Sequence, residues 1–130
     1  MSPDDLVRAA QEARGHAHAP YSAFAVGAAI AAGDDRIFTG CNLENASYGL
    51  TVCAERNALA AAVVAGARGF TAIAIVSEGG AAPCGACRQV LAELAPPELA
   101  ILQVDAVTGT VRETTLGQLL PDPFVRTPPA

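Results

Sequence analysis

Residues 71–77 read Thr-Ala-Ile-Ala-Ile-Val-Ser, a nearly continuous apolar run. A short run of this kind is typical of a strand buried on both faces of a sheet. A stretch rich in alanine and leucine precedes it at 53–64 and stops at Gly66, which favours a helix with a glycine end. A second helical pattern follows at 84–94 and stops at Pro96-Pro97. The centre of the chain therefore predicts a strand between two helices.

Further elements are predicted outward from this centre. A first helix starts after Ser2, which can cap it, and runs to about His16. The remaining predictions are a hairpin of strands 25–31 and 36–41 turning at 33–35, a strand at 99–105, a short strand near Val111 and a short helix at 115–120. Strands that alternate with helices imply an α/β domain with a mixed sheet and helices packed on it.

The composition limits the class of protein. A chain of 130 residues suffices for one domain, expected over 1–130, and 52% of its residues are hydrophobic. The net charge is −5 and every base is arginine, so a small substrate is favoured over nucleic acid. There is no apolar run of about 18 residues and no basic-apolar leader pattern, so we expect no membrane partner and a cytoplasmic location.

Three cysteines have the spacing of a metal site. Cys84 and Cys87 lie three apart at the start of one predicted helix, on one face, and Cys53 starts the other helix. Helix N-termini carry partial positive charge, which favours ionised thiols. Zinc prefers such ligands, and a catalytic zinc keeps its fourth position for water. The sequence therefore predicts Zn²⁺ on these three residues.

Glu55 supplies the second part of the pattern. Cys53-Ala54-Glu55 followed by Pro83-Cys84-x-x-Cys87 has the spacing of the zinc-dependent deaminases, in which the glutamate is the general acid and base without being a ligand. Separately, each part has a simpler explanation. The C-x-x-C pair is often structural or redox-active, Cys41 could complete a closed four-cysteine site, and Glu55 could be a favourable first-turn acid. The combination favours the deaminase.

The wider sequence resembles the small, homotetrameric cytidine deaminases over about residues 19–124. The motifs that carry the resemblance are Tyr21-Ser22-x-Phe24-x-Val26-Gly27-Ala28, Gly40-x-Asn42-x-Glu44-Asn45-Ala46-Ser47-Tyr48, Cys53-Ala54-Glu55-Arg56, Pro83-Cys84-Gly85-x-Cys87-Arg88-Gln89 and Leu119-Leu120-Pro121-x-x-Phe124. The resemblance implies a three-layer α/β sandwich with a mixed five-stranded sheet and helices on both faces. It also implies one zinc per subunit and a homotetramer with sites completed across subunits.

The resemblance implies roles for the residues that meet the substrate. Phe24 is expected to pack on the pyrimidine ring, and Asn42 and Glu44 to bind the ribose hydroxyls. The backbone of Ala54, with the Glu55 side chain, is expected to hold the base edge, and Phe124 to reach a neighbouring subunit's site. Without the cysteine motif, Asn42 to Asn45 could be a solvated turn, Phe24 a core residue and Phe124 part of a loose tail.

Residues that follow the ligands are expected to support them. Arg56 and Arg88 each follow a cysteine closely and could donate to the sulfurs. The resemblance implies this for Arg56, which would compensate the charge of a third thiolate, and Gln89 is expected to act beside it.

The predicted function is zinc-dependent hydrolytic deamination of cytidine and 2′-deoxycytidine, as in pyrimidine salvage. Two alternatives stay open on the sequence. One is an aminonucleoside antibiotic deaminase of the blasticidin S type, which shares the zinc motifs. The other is a non-enzymatic zinc module.

Overall fold

A computed structural model describes residues 2–128, and its centre is a mixed sheet. The strands are β1 (Gly27–Ala31), β2 (Ile37–Cys41), β3 (Ala72–Ser77), β4 (Ala100–Asp105) and β5 (Val111–Thr115), in the order β2-β1-β3-β4-β5. β3 pairs parallel with β4, and every other pair is antiparallel. The mixed five-stranded sheet implied by the resemblance is confirmed, and residues 72–77 of the apolar run predicted at 71–77 form its central strand.

One helix, α1 (Pro3–Arg14), covers one face of the sheet. Its Leu6 and Ala10 are buried against alanines of β1 and β3. The helix α1 packs closely on β1 because Gly27 has no side chain. A Cβ at this position would lie 2.1 Å from the Ala10 carbonyl oxygen. The Ser2 cap is confirmed by a capping box. The helix ends at Arg14, before the predicted His16, because Gly15 disfavours continuation.

Three helices lie on the opposite face: α2 (Ala54–Val64), α3 (Gly85–Leu94) and α4 (Leu116–Leu119). They enclose a second core that includes Phe70, Ile75 and Leu91. The two cores on opposite sides of the sheet confirm the three-layer sandwich. α2 rests on β2 at Gly40, where a Cβ would lie 2.4 Å from the Ala58 nitrogen.

The two helices α2 and α3 begin at the same edge of the sheet. Cys53 and Cys84 were predicted as first helical residues, and the structure makes each of them the N-cap, with extended backbone. β2 and β3 end at this edge and β1 begins there. Strand ends that meet helix starts are the usual position of a binding site in α/β sheets. Within residues 2–128, no helix is long and apolar enough to cross a membrane.

Candidate active site

The three predicted cysteine ligands come together at this edge. Cys53, Cys84 and Cys87 have sulfur atoms within 4.8 Å of one another. The Cys84–Cys87 distance is 3.5 Å and the Cys53–Cys84 distance is 3.9 Å. Cys41 lies at the end of β2, outside this cluster, so the closed four-cysteine alternative is wrong.

The geometry and charge of the cluster fit zinc. Two thiolates on one tetrahedral zinc, each at about 2.3 Å, are about 3.8 Å apart, close to the distances observed here. Hydrogen bonding from Cys87 and from the Arg56 guanidinium lowers the pKa of Cys53 to about 5. Donation to Cys53, together with burial, raises the pKa of Cys87. The Cys53 thiol therefore ionises readily, whereas ionising the Cys87 thiol beside it costs free energy. A bound divalent cation would offset that free energy.

Arg56 contacts the cluster from α2. Its Nη2 donates to the Cys53 sulfur at 3.3 Å, the arrangement expected for a cation beside thiolates. The Arg56 Nε is buried and has no partner within the described chain. The Arg56 side chain also lines an apolar groove between α2 and α3.

Two other predicted supports have different contacts. Arg88 donates from Nε to the Pro83 carbonyl at 2.7 Å and from Nη1 to the Leu119 carbonyl at 2.9 Å, so it joins the loop before α3 to α4. Gln89 exchanges two hydrogen bonds with the backbone of Phe124. The described residues show no hydrogen bond from Gln89 to a cysteine sulfur, and its supporting role beside Arg56 stays a prediction.

Glu55 lies in the first turn of α2, next to the cysteine cluster. It is buried, with 5% of its surface exposed. Burial, and then the negative charge of Cys53, raise the pKa of its carboxyl group. No cation pairs with this carboxyl in the hydrogen-bonded contacts of residues 2–128. A buried carboxyl without a partner cation, facing a cavity, is typical of a group that exchanges protons.

A cavity of about 190 Å³ is lined by Cys53, Cys84 and Glu55, while Cys87 is buried beside it in the sulfur cluster. Its wall includes the predicted residues Phe24, Asn42 and Ala54, and Phe24 keeps 40% of its surface exposed. Asn42 is buried, accepting from the Val26 nitrogen at 2.9 Å and donating to the Phe24 carbonyl at 2.8 Å. The solvated-turn alternative is therefore wrong for Asn42, and the core alternative is wrong for Phe24.

Glu44 lies in a second, outer pocket of about 370 Å³. Its carboxylate accepts from the backbone nitrogens of Tyr21 and Ser22 and from the Ser22 hydroxyl. The Ser22 hydrogen bond is the main reason that the pKa of Glu44 lies below its usual value. Thr51 lines both the outer pocket and the cavity, so the two spaces adjoin at this residue.

Phe124 does not reach the cavity of its own chain. Its side chain is 74% exposed, while its backbone is fixed by Gln89 at 2.9 and 3.2 Å. An exposed aromatic residue on a fixed backbone is typical of a contact with another molecule. The loose-tail alternative does not describe this residue, since its backbone is anchored.

Three polar residues of the site received no role from the sequence. Ser22 binds Glu44, Thr51 separates the two pockets, and Ser77 lies buried in the cavity wall where it accepts from the Ala81 nitrogen at 2.9 Å. The motif Tyr21-Ser22-x-Phe24 contained a signal for Ser22. Thr51 and Ser77 had none, because a single hydroxyl beside a strand or turn has many uses.

Known proteins with related sequences and structures share this arrangement of elements. Residues 2–103 match the family model described as the cytidine and deoxycytidylate deaminase zinc-binding region. The curated cytidine deaminase of Sporosarcina psychrophila is 44% identical over 126 residues, covering 95% of this chain and 92% of its own. The crystal structure of cytidine deaminase from Burkholderia pseudomallei matches with a TM-score of 0.91 and 53% identity, covering 95% of this chain and 100% of the other.

A further solved relative agrees. The crystal structure of cytidine deaminase from Mycobacterium tuberculosis has a TM-score of 0.83 and 44% identity, and the alignment covers 97% of this chain and 99% of the other. The chain therefore belongs to the cytidine and deoxycytidylate deaminase family.

Proposed function

We propose that this protein is a cytidine deaminase that hydrolyses cytidine and 2′-deoxycytidine to uridine and 2′-deoxyuridine with release of ammonia. The observation that carries the proposal is the cavity lined by Cys53, Cys84 and the buried Glu55, with the buried Cys87 completing the sulfur cluster. Cys53, Cys84 and Cys87 would hold one Zn²⁺ per chain. When bound, zinc supplies a Lewis acid that brings the pKa of a coordinated water toward neutrality.

The protein's own groups then move protons and hold the base. Glu55 would accept one proton from the attacking water and deliver it to N3 of the cytosine ring as the water oxygen bonds to C4. It would then carry the second proton from that oxygen to the amino nitrogen, and the C4–N bond breaks to release ammonia. The buried position of its carboxyl keeps bulk water from competing for these protons. The Ala54 backbone and the ring of Phe24 hold the base in the cavity wall.

The two adjoining pockets support a nucleoside as the substrate. The cavity has room for a single heterocycle, and the outer pocket across Thr51 would receive the sugar beside Glu44, near the buried Asn42. The lining of that outer pocket contains no arginine or lysine, and Glu44 is ionised at neutral pH. A 5′-phosphate would approach a carboxylate without a compensating cation, so the proposal favours nucleosides over deoxycytidylate.

A homotetramer with shared sites is part of the proposal. An apolar groove of about 560 Å³ runs between α2 and α3, and Val64 on its rim is 89% exposed. The Arg56 side chain also lines this groove, so a docked chain would cover the residue that donates to Cys53. The exposed Phe124 lies next to the groove, anchored by the groove residue Gln89. These features support a second copy of the chain as the partner.

Two broader expectations from the sequence also remain proposals. We propose that residues 1–130 form one domain and that the protein acts in the cytoplasm. Limited proteolysis that releases no stable fragment supports the first, and cell fractionation tests the second.

The decisive experiment is incubation of the zinc-loaded protein with cytidine, 2′-deoxycytidine, deoxycytidylate and blasticidin S. Loss of the aminopyrimidine absorbance, with one ammonia per uridine formed, supports the proposal. Faster turnover of blasticidin S would favour the antibiotic deaminase. Stoichiometric zinc without turnover of any of the four would favour the non-enzymatic zinc module.

A further inference from the structure

The loop that carries Phe24 is joined to the sugar-side residues by a continuous set of hydrogen bonds. The Ser22 hydroxyl donates to Glu44 and also accepts from the Phe24 nitrogen at 3.0 Å. The other oxygen of Glu44 accepts from the Tyr21 nitrogen at 2.9 Å and the Ser22 nitrogen at 3.2 Å. Asn42 donates to the Phe24 carbonyl at 2.8 Å. Both polar backbone groups of Phe24 are therefore fixed.

This loop also contains backbone strain. Ala23 has a φ of 59°, and only one other non-glycine residue of the described chain, Asp35 in the β1–β2 turn, has a positive φ. Alanine disfavours this conformation and has no polar side chain to compensate for it. Such strain persists only where surrounding contacts enforce it, and it concentrates at functional sites. Two hydrogen bonds enforce it here. The Ser22 hydroxyl accepts from the Phe24 nitrogen, and the Ala23 nitrogen donates to the Ala19 carbonyl at 3.0 Å.

We infer that Ser22 is a positioning residue for substrate binding, which couples the sugar-side carboxylate of Glu44 to the base-side ring of Phe24. This inference rests on the proposed function, since it names the two pockets as base and sugar sites. Ser22 itself does not touch the reacting atoms. It holds the two groups that would bind opposite ends of the nucleoside in a fixed relation before the substrate arrives.

Glu44 and Asn42 keep hydrogen-bonding capacity for the substrate after their bonds to the loop are made. A carboxylate offers about four lone-pair sites, and the loop uses three of those on Glu44. The Asn42 amide uses one of its two N–H groups for Phe24. One acceptor site on Glu44 and one donor on Asn42 thus remain for sugar hydroxyls. Pre-ordering both groups reduces the entropy that binding must otherwise supply, so Ser22 should act on affinity more than on chemistry.

The test compares Ser22→Ala with Ser22→Thr, which keeps the hydroxyl. In the zinc-loaded enzyme we expect Ser22→Ala to raise the KM for cytidine about tenfold while kcat stays within about twofold, because loss of one hydrogen bond to a charged group weakens binding and leaves Glu55 and the cysteines in place. Ser22→Thr should have a KM for cytidine within about threefold of that of the original protein. Hydrogen exchange of residues 19–26, measured by mass spectrometry, should speed up in Ser22→Ala alone.

Ser2→Ala is the matched control. The Ser2 hydroxyl also accepts from a backbone nitrogen, at 3.2 Å, but it caps α1 and lines neither of the two pockets. Ser2→Ala should lower the melting temperature without changing the KM for cytidine. An unchanged KM in Ser22→Ala, an equal fall in kcat, or failure of Ser22→Thr to restore KM would each overturn the inference. If the original protein does not turn over cytidine, the proposed function fails; unchanged exchange in Ser22→Ala would then refute the positioning role independently.

Discussion

Glu55 is the residue on which the proposed chemistry depends most. Its carboxyl is buried beside the cysteine cluster and is not one of the three sulfur ligands. Glu55→Gln keeps the size of the side chain and removes its ability to carry protons. We expect kcat to fall by at least about 10³, since proton transfer by a positioned group contributes about 10² to 10⁴, while zinc content stays at one per chain. Turnover of cytidine and zinc by atomic absorption measure the two quantities.

The opposite pattern would contradict this role. If Glu55→Gln lost zinc together with activity, the glutamate would be acting on the metal site. If kcat stayed within about tenfold of the original, another group would be moving the protons.

Cys87 tests the metal site directly. Its sulfur is fully buried and lies 3.5 Å from that of Cys84. Cys87→Ala should abolish stoichiometric zinc binding and lower the melting temperature, because the free energy of metal binding stabilises the folded state. Cys41→Ala is the control, since Cys41 lies outside the cluster and should keep zinc. A Cys87→Ala protein that retained one zinc with an unchanged melting temperature would refute the site.

At the scale of elements, the sequence predicts the helices and strands well because their signals are local. The apolar run at 71–77, the cap at Ser2 and the glycine after α2 are each visible within a few residues. The contacts of the site are not local. Ser22 and Glu44 are 22 positions apart, and Gln89 and Phe124 are 35 apart. Their pairing depends on how the elements pack, so no pattern along the chain reveals it.

Gly40 controls how closely α2 can approach β2. A Cβ at this position would lie 2.4 Å from the Ala58 nitrogen and 2.6 Å from the Ala54 carbonyl oxygen, both backbone atoms that cannot move alone. Gly40→Ala should therefore destabilise the fold by about 3 kcal/mol and displace the helix that carries Cys53 and Glu55. Gly49→Ala is the control, because nothing lies within 4 Å of its added Cβ. Equal melting temperatures for the two variants would contradict this packing argument.

Asp105 holds the loop between β3 and α3 at the end of β4. Its carboxylate accepts from the Val107 nitrogen at 2.9 Å and the Gly79 nitrogen at 3.2 Å, and these bonds lower its pKa. A lowered pKa in the folded state means that the carboxylate stabilises the protein above about pH 4 and loses that contribution as the pH falls further. Asp105→Asn should thus lower the melting temperature most at pH 7, with the difference shrinking toward pH 3.

Differences between variants at each pH isolate this contribution, because release of metal in acid affects both proteins. Glu98→Gln is a suitable control, since Glu98 is exposed and makes no side-chain hydrogen bond in residues 2–128. A difference for Asp105→Asn that stayed constant from pH 7 to pH 3 would show that its charge does not hold the loop.

At the scale of the whole molecule, one chain leaves two features unexplained. The groove between α2 and α3 is apolar and open, and Phe124 projects into solvent from a fixed backbone. The resemblance implies a homotetramer but does not show which surface is buried, because exposed apolar residues of α2 and α3 also satisfy a helical core pattern. A tetramer in which Phe124 enters a neighbour's site would account for both features.

Subunit complementation tests this arrangement. Phe124→Ala should lower kcat/KM about tenfold, since it removes an aromatic contact from the neighbouring site. Co-expression of the Phe124→Ala and Glu55→Gln variants should restore the activity per intact Glu55. The Glu55→Gln copies supply Phe124 to neighbouring sites that carry a working glutamate. The control co-expresses Phe124→Ala with the Glu55→Gln/Phe124→Ala double variant. Neither copy carries the Phe124 ring, so the activity per intact Glu55 should not rise. Mixed oligomers of the first pair that were no more active than the sum of the separate variants would mean that each site is complete within one chain.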